Sequence, residues 1–131
     1  MESLGNCYYS LGEYKKSIKY HENSLKIRKA IGHKSGEADS LGNIGNCYYS
    51  LEKYEKSIKY YEDSLKIKKY LQEKLSEMSQ HSNLGIVYLK IDQISNSKES
   101  FQKFFEIYKQ KQNEFTTEFF MLHSKKDIKQ K

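Results

Sequence analysis

Proline and tryptophan are absent from the 131 residues, arginine occurs once and cysteine twice. Proline's absence permits long uninterrupted helices, because an internal proline costs about 3 kcal/mol. Arg28 is the one arginine among 23 basic residues, so lysine carries the net charge of +6. Lysine is a solvated point charge, whereas bidentate recognition of phosphates and bases favours arginine; the basic balance therefore argues against nucleic acid. No apolar run approaches the roughly 20 residues of a membrane span, and Met1–Gly5 carries no signal-peptide core. The expected home is the cytoplasm, or a cytoskeletal or ciliary structure bathed by it. Cys7 and Cys47 form no Cys-x-x-Cys, and the four histidines are scattered, which leaves no metal-ligand spacing. There is no glycine loop to cradle a phosphate and no paired carboxylate beside a nucleophile. Neither an enzyme nor a cofactor is expected.

What the chain does contain is a repeat. Gly45-Asn46-Cys47-Tyr48-Tyr49-Ser50-Leu51 restates Gly5-Asn6-Cys7-Tyr8-Tyr9-Ser10-Leu11 after 40 residues, and 19 of 25 positions agree between 5–29 and 45–69. A worn third copy begins at Gly85-Ile86-Val87-Tyr88. With 37% apolar and 31% charged residues, the chain is thin for one spherical core. It suits a solenoid in which each unit buries its face against its neighbours.

Apolar spacing predicts helices at 1–11, 13–31, 36–51, 53–71, 76–91 and 94–112. Gly12 marks the first turn; Gly32, Ser35 and Gly36 supply candidate caps for the next. The connection at 72–75 lacks glycine, so helix past Leu71 is expected to compete with a turn. A last helix, about 114–124, carries Phe115, Phe119, Phe120 and Leu122 and is expected to cap the stack; 125–131 reads as a basic polar tail. The solenoid thus spans 1–124, with repeats at about 1–35, 36–75 and 76–112. Met1 opens the first helix inside its repeat, as in a chain that starts there or in a piece of a longer array.

These helix pairs resemble the tetratricopeptide repeat, with Leu-Gly-x-x-Tyr in the first helix and a small, a bulky and another small residue in the second. The matches are Leu4, Gly5, Tyr8, Ser17, His21 and Ser24; then Ile44, Gly45, Tyr48, Ser57, Tyr61 and Ser64. The third set is Leu84, Gly85, Tyr88, Ser97 and Phe101, with Phe104 departing from the small-residue rule. The 40-residue length is similar to the long-helix repeats of kinesin light chains and of spindle-orientation G-protein modulators. The resemblance implies an all-α right-handed solenoid of three helix pairs plus the capping helix. Cys7, Cys47 and Val87 then fill small core positions.

In such stacks the first helices line a concave groove. By register that groove holds Asn6, Tyr9 and Ser10; then Asp39, Asn43, Asn46, Tyr49 and Ser50; then Ser79, Ser82, Asn83, Ile86, Leu89 and Lys90. Asparagine both donates to and accepts from a peptide backbone, and tyrosine adds apolar area with one hydroxyl. The implied function is an adaptor or scaffold that binds a peptide or helix of another protein. A chaperone-type carboxylate clamp is disfavoured, because its basic positions fall on Glu2, Ser79 and Asn83. Two other readings stand beside this one. The chain could be a structural subunit of a large cytoskeletal or ciliary assembly, held by its ends and its aromatic cap and self-associating through its N-terminal end, where Leu4 and Tyr8 lack upstream packing. It could also bind acidic tubulin tails or RNA through the lysines of its second helices, Lys68 among them.

Overall fold

The computed structural model describes the backbone of residues 2–130 and the side-chain surroundings of residues 5, 6 and 8–124. Six helices follow one another: α1 (Glu2–Ser10), α2 (Tyr14–Ala30), α3 (Lys34–Ser50), α4 (Tyr54–Tyr70), α5 (Lys74–Lys90) and α6 (Ile94–Gln130). Each packs mainly on its predecessor and successor, which is the nearest-neighbour logic of a solenoid.

The helices obey a frame shorter than the sequence repeat. From α2 to α5 each helix has 17 residues, and each is separated from the next by three. The middle turn residue is always left-handed: Gly12 and Gly32, then Glu52, Gln72 and Asp92, with φ between 57° and 78°. Every turn closes with the same two bonds. The left-handed residue's N–H donates to a carbonyl three back, as Gln72 to Lys69 at 3.1 Å, and the next N–H reaches five back, as Glu73 to Lys68 at 3.0 Å. This is the Schellman arrangement, which satisfies carbonyls orphaned at a helix end. It settles the turn that lacks glycine: helix stops at Leu71 because Gln72 accepts a left-handed conformation that disfavours side chains by about 1–2 kcal/mol.

Two sequence expectations change. Ser35 and Gly36 are inside α3 rather than at its start, and the N-cap is His33, without a side-chain capping bond. Gly36 serves packing instead: a Cβ there would come within 2.2 Å of His33 Nδ1 and 2.9 Å of Arg28 Cδ. Second, no turn separates 94–112 from 114–124. α6 continues through both and through the expected tail to Gln130, because Lys111-Gln112-Asn113-Glu114 contains no glycine or proline to stop it. The C-terminal segment therefore extends α6 beyond the stack rather than folding back, and past Ile107 its described side chains are exposed.

There is no single core. One cluster joins Ile18, Ile44 and Cys47, flanked by Tyr14, Leu25, Tyr48 and Tyr60. A second joins Tyr61, Leu84 and Val87, flanked by Tyr49, Tyr54, Ile58 and Leu65. Tyrosines make the outer seam of the first two pairs. Tyr8 stacks on Tyr20 at 5.3 Å and Tyr48 on Tyr60 at 5.5 Å, with Lys16 and Lys56 each 5.4 Å from the Tyr8 and Tyr48 ring centres. Ring stacking and cation–π attraction add to the apolar area these side chains bury.

Candidate functional site

The face that could bind a partner is held by a lock that recurs in each helix pair. Gly5, Gly45 and Gly85 lie where a Cβ would come within 2.7–2.8 Å of the rings of His21, Tyr61 and Phe101. That close approach lets a serine of the second helix reach the first: Ser17, Ser57 and Ser97 donate to the carbonyls of Gly5, Gly45 and Gly85 at 2.8, 2.9 and 2.9 Å. The serines are buried, and this bond satisfies their hydroxyls at no loss to the helix ladder, since a carbonyl has two lone pairs. Ser17 also accepts from the Cys47 thiol at 3.2 Å. Burial pushes that thiol's pKa up despite this bond, which makes Cys47 a packing residue. Cys7 and Leu4 lie outside the described side chains. Tyr8 is half-buried against Tyr20 of α2.

Polar contacts link α1 to α3 and α3 to the start of α5. The Tyr9 and Ser50 hydroxyls, one on α1 and one on α3, are 3.1 Å apart. Ser35 of α3 donates to Glu73 at the start of α5 at 2.8 Å, and Gly42 of α3 leaves room for the Gln80 amide of α5. Of the predicted groove residues Tyr9 and Ser50 are brought into contact, and the set is not equally exposed. Asn6, Tyr9, Ser10, Asp39, Ser79, Ile86, Leu89 and Lys90 are exposed; Asn43, Asn46, Tyr49, Ser50, Ser82 and Asn83 are partly covered. Asn46 accepts the Tyr61 hydroxyl at 2.5 Å, and burial raises the pKa of that phenol, keeping it a donor. Tyr49 packs edge-on to Tyr54 at 5.7 Å and borders the second core cluster. Both residues therefore hold helices together.

The tetratricopeptide repeat family model matches residues 1–69, more than half of the chain. The chain belongs to the tetratricopeptide-repeat family. Solved structures agree on the fold. The tetratricopeptide-repeat domain of Arabidopsis FLU superposes with a TM-score of 0.78 at 14% identity, over 83% of this chain and 92% of that one. The apo form of RapI gives 0.77 at 23%, over 90% and 43%; BtubC from P. vanneervenii gives 0.75 at 22%, over 82% and 44%. In sequence, a 41-residue stretch is 39% identical to G-protein-signaling modulator 1 of Mus musculus and of Rattus norvegicus. The match takes in 31% of this chain and 6% of the length of those relatives. A tetratricopeptide-repeat stack is in general a scaffold for protein–protein interaction.

Two features of these repeats were not evident from sequence pattern. The first is a buried cation. Lys68, expected among outward-facing lysines, is only 3% exposed. Its ammonium lies 2.8 Å from Asp39 and 2.7 Å from Glu73, and the Glu73 carboxylate also takes the Ser35 hydroxyl. Burial alone would depress the Lys68 pKa, but the hydrogen bonds it donates to both carboxylates outweigh it and hold it above the usual lysine value. Hydrogen bonds from Lys68 and Ser35 lower that of Glu73. Asp39 is therefore occupied, in a cleft of about 450 Å³ that Lys74 and Lys111 also line. The signal was present in the register: Lys68 falls 40 residues after Arg28, which donates to the Gly36 carbonyl and Ser40 hydroxyl at 2.8 and 2.9 Å. The second feature is His81, buried on α5 where repeat two has Leu41, its Nε2 3.7 Å from Glu77. Desolvation, then the charge of Lys69, lowers its pKa against the opposing pull of Glu77. Among the described residues no cluster of three metal-ligating side chains occurs and no helix is long and apolar enough to cross a membrane.

Proposed function

We propose that this protein is an adaptor that binds one extended or helical segment of a partner protein along the row made by α1, α3 and α5. The observation that carries the reading is the graded chemistry of that row. Its first two thirds present Asn6, Tyr9, Asn43, Asn46 and Tyr49, groups that pair with a peptide backbone; its last third presents exposed Ile86, Leu89 and Lys90. The fitting ligand is a segment with polar character over α1 and α3, and apolar side chains over α5 followed by an acidic group near Lys90. The partner acts in the cytoplasm, with the cytoskeleton or a cilium as the particular setting, and no catalytic step is involved. Two of the second-helix lysines are engaged within the chain, Lys68 buried between Asp39 and Glu73 and Lys16 paired with Glu13, which weighs against adhesion to acidic tubulin tails or RNA. Selection from a displayed peptide library tests the proposal. Enriched peptides should share the apolar-then-acidic pattern and lose about tenfold or more in affinity to Ile86→Asp with Leu89→Asp, helicity being unchanged. Peptides that bind this variant as tightly as the unmodified chain would refute it. Exposed positions are the right targets: Asn46→Ala with Tyr49→Ala would also remove the Tyr61 bond and part of the core.

A further inference from the structure

Beyond the stack, α6 carries a second surface. Phe105, Tyr108, Gln112, Phe115, Phe119 and Leu122 are all exposed and follow one another at spacings of three and four residues. That is an a/d seam on one side of a helix, about 27 Å long at 1.5 Å per residue. Its only polar member is Gln112. Phe120 and Met121 are also exposed but fall on the far side of the helix. The seam begins on the part of α6 that packs on α5 and runs into the part that packs on nothing described, so a partner helix has a free face along its whole length.

We propose that the occupant is a second copy of this chain, its α6 lying antiparallel about a two-fold axis near Asn113 and Glu114. In that register Phe105 of each copy meets Leu122 of the other, Tyr108 meets Phe119, and Gln112 meets Phe115. Every layer then contains an aromatic ring. Charge selects the same arrangement. Lys111 and Glu118 flank the seam on one side, and the antiparallel two-fold places each Lys111 opposite Glu118 of the other copy, twice per dimer. A parallel pair would set Lys111 against Thr116 and stack Gln112 on itself, losing both ion pairs. In the single chain the Lys111 ammonium is 3.4 Å from Glu114, a partner it would exchange for Glu118 of the other copy. The competing arrangement is a monomer in which 114–130 folds back on its own 94–110, since the 20-residue frame puts a latent turn at 111–113.

Sedimentation velocity of the full chain, with circular dichroism to verify folding, tests the assignment. The unmodified chain should sediment as a dimer. Phe115→Asp with Phe119→Asp should weaken the dimer about a hundredfold or more, while Phe120→Ser with Met121→Ser, off the seam, should leave it intact. Lys111→Glu or Glu118→Lys alone should each weaken it about tenfold, and the two together should restore it. A monomer at all concentrations, an equal loss from the off-seam variant, or no rescue by the charge swap would each overturn the proposal.

Discussion

Repeats two and three are built on one lock and diverge around it. Gly45, Ser57 and Tyr61 have their counterparts in Gly85, Ser97 and Phe101, with matching distances. Yet Asn46, which accepts the Tyr61 hydroxyl, becomes Ile86 where the partner ring is Phe101 and has none to give. Acceptor and donor disappear together. Buried Lys68 becomes exposed Tyr108, Tyr60 becomes Ser100, and Leu41 becomes His81. The Tyr88 hydroxyl, with no ring to stack on at 100, donates instead to Glu62 of the preceding helix at 3.1 Å. Helix crossing is therefore fixed by three positions per pair, and the polarity around them can vary as long as donors and acceptors change in step.

The largest expected difference between the repeats is at the buried cation. Lys68→Met should lower unfolding free energy by about 1–2 kcal/mol, because the partly exposed Asp39 and Glu73 lose their hydrogen-bonded partner; Tyr108→Met, the same position one repeat on, should change it by less than about 0.5 kcal/mol. Urea denaturation of both variants checks the contrast. Gly45→Ala and Gly85→Ala should each cost about 1–3 kcal/mol, since a Cβ meets a ring of the second helix in either repeat. Similar losses would support the shared lock, and a tolerant Gly85 would break it. Transplanting the polar pair, Ile86→Asn with Phe101→Tyr, should show a favourable coupling of about 1 kcal/mol in a double-mutant cycle. At the turns, Glu52→Gly, Gln72→Gly and Asp92→Gly should each stabilise by about 0.5–1 kcal/mol, as left-handed strain is relieved, and Gly32→Ala should do the reverse; thermal melts resolve both signs. The smallest effect is a pH slope. The folded-state pKa of His81 is below its ordinary value of 6.5, so the unfolded chain binds the proton first and stability falls as pH drops through and below that value. Hydrogen exchange should show the loss first in α5 and α6, and His81→Leu should flatten it.

The fold was legible in the sequence because a repeat constrains each position several times. Gly5, Gly45 and Gly85 imply a helix crossing, and Ser17, Ser57 and Ser97 imply what crosses it. Turn chemistry was legible at Gly12 and Gly32 and not at Gln72, where the pull of packing on both flanking helices overrides residue preference. The fused α6 was hidden for the opposite reason: register implied a turn at 111–113, but nothing there forbids helix. In the candidate row, the choice of α1, α3 and α5 followed from the resemblance to tetratricopeptide stacks. Which members are engaged internally did not, because the Asn46–Tyr61 and Asp39–Lys68 contacts span 15 and 29 positions and join helices that only packing brings together.

The 20-residue spacing of helices and turns is half the 40-residue period of the text. From α2 to α5 the helices are equal rods with equal joints, and only their side chains distinguish first helices from second. Lengthening the array by 40 residues would therefore extend the surface unchanged. Adding 20 would keep every joint in place while exchanging inner for outer, so that Lys-rich faces would line the row and Asn-rich faces would turn away. Geometry in this protein counts in twenties, and the side-chain pattern counts in forties.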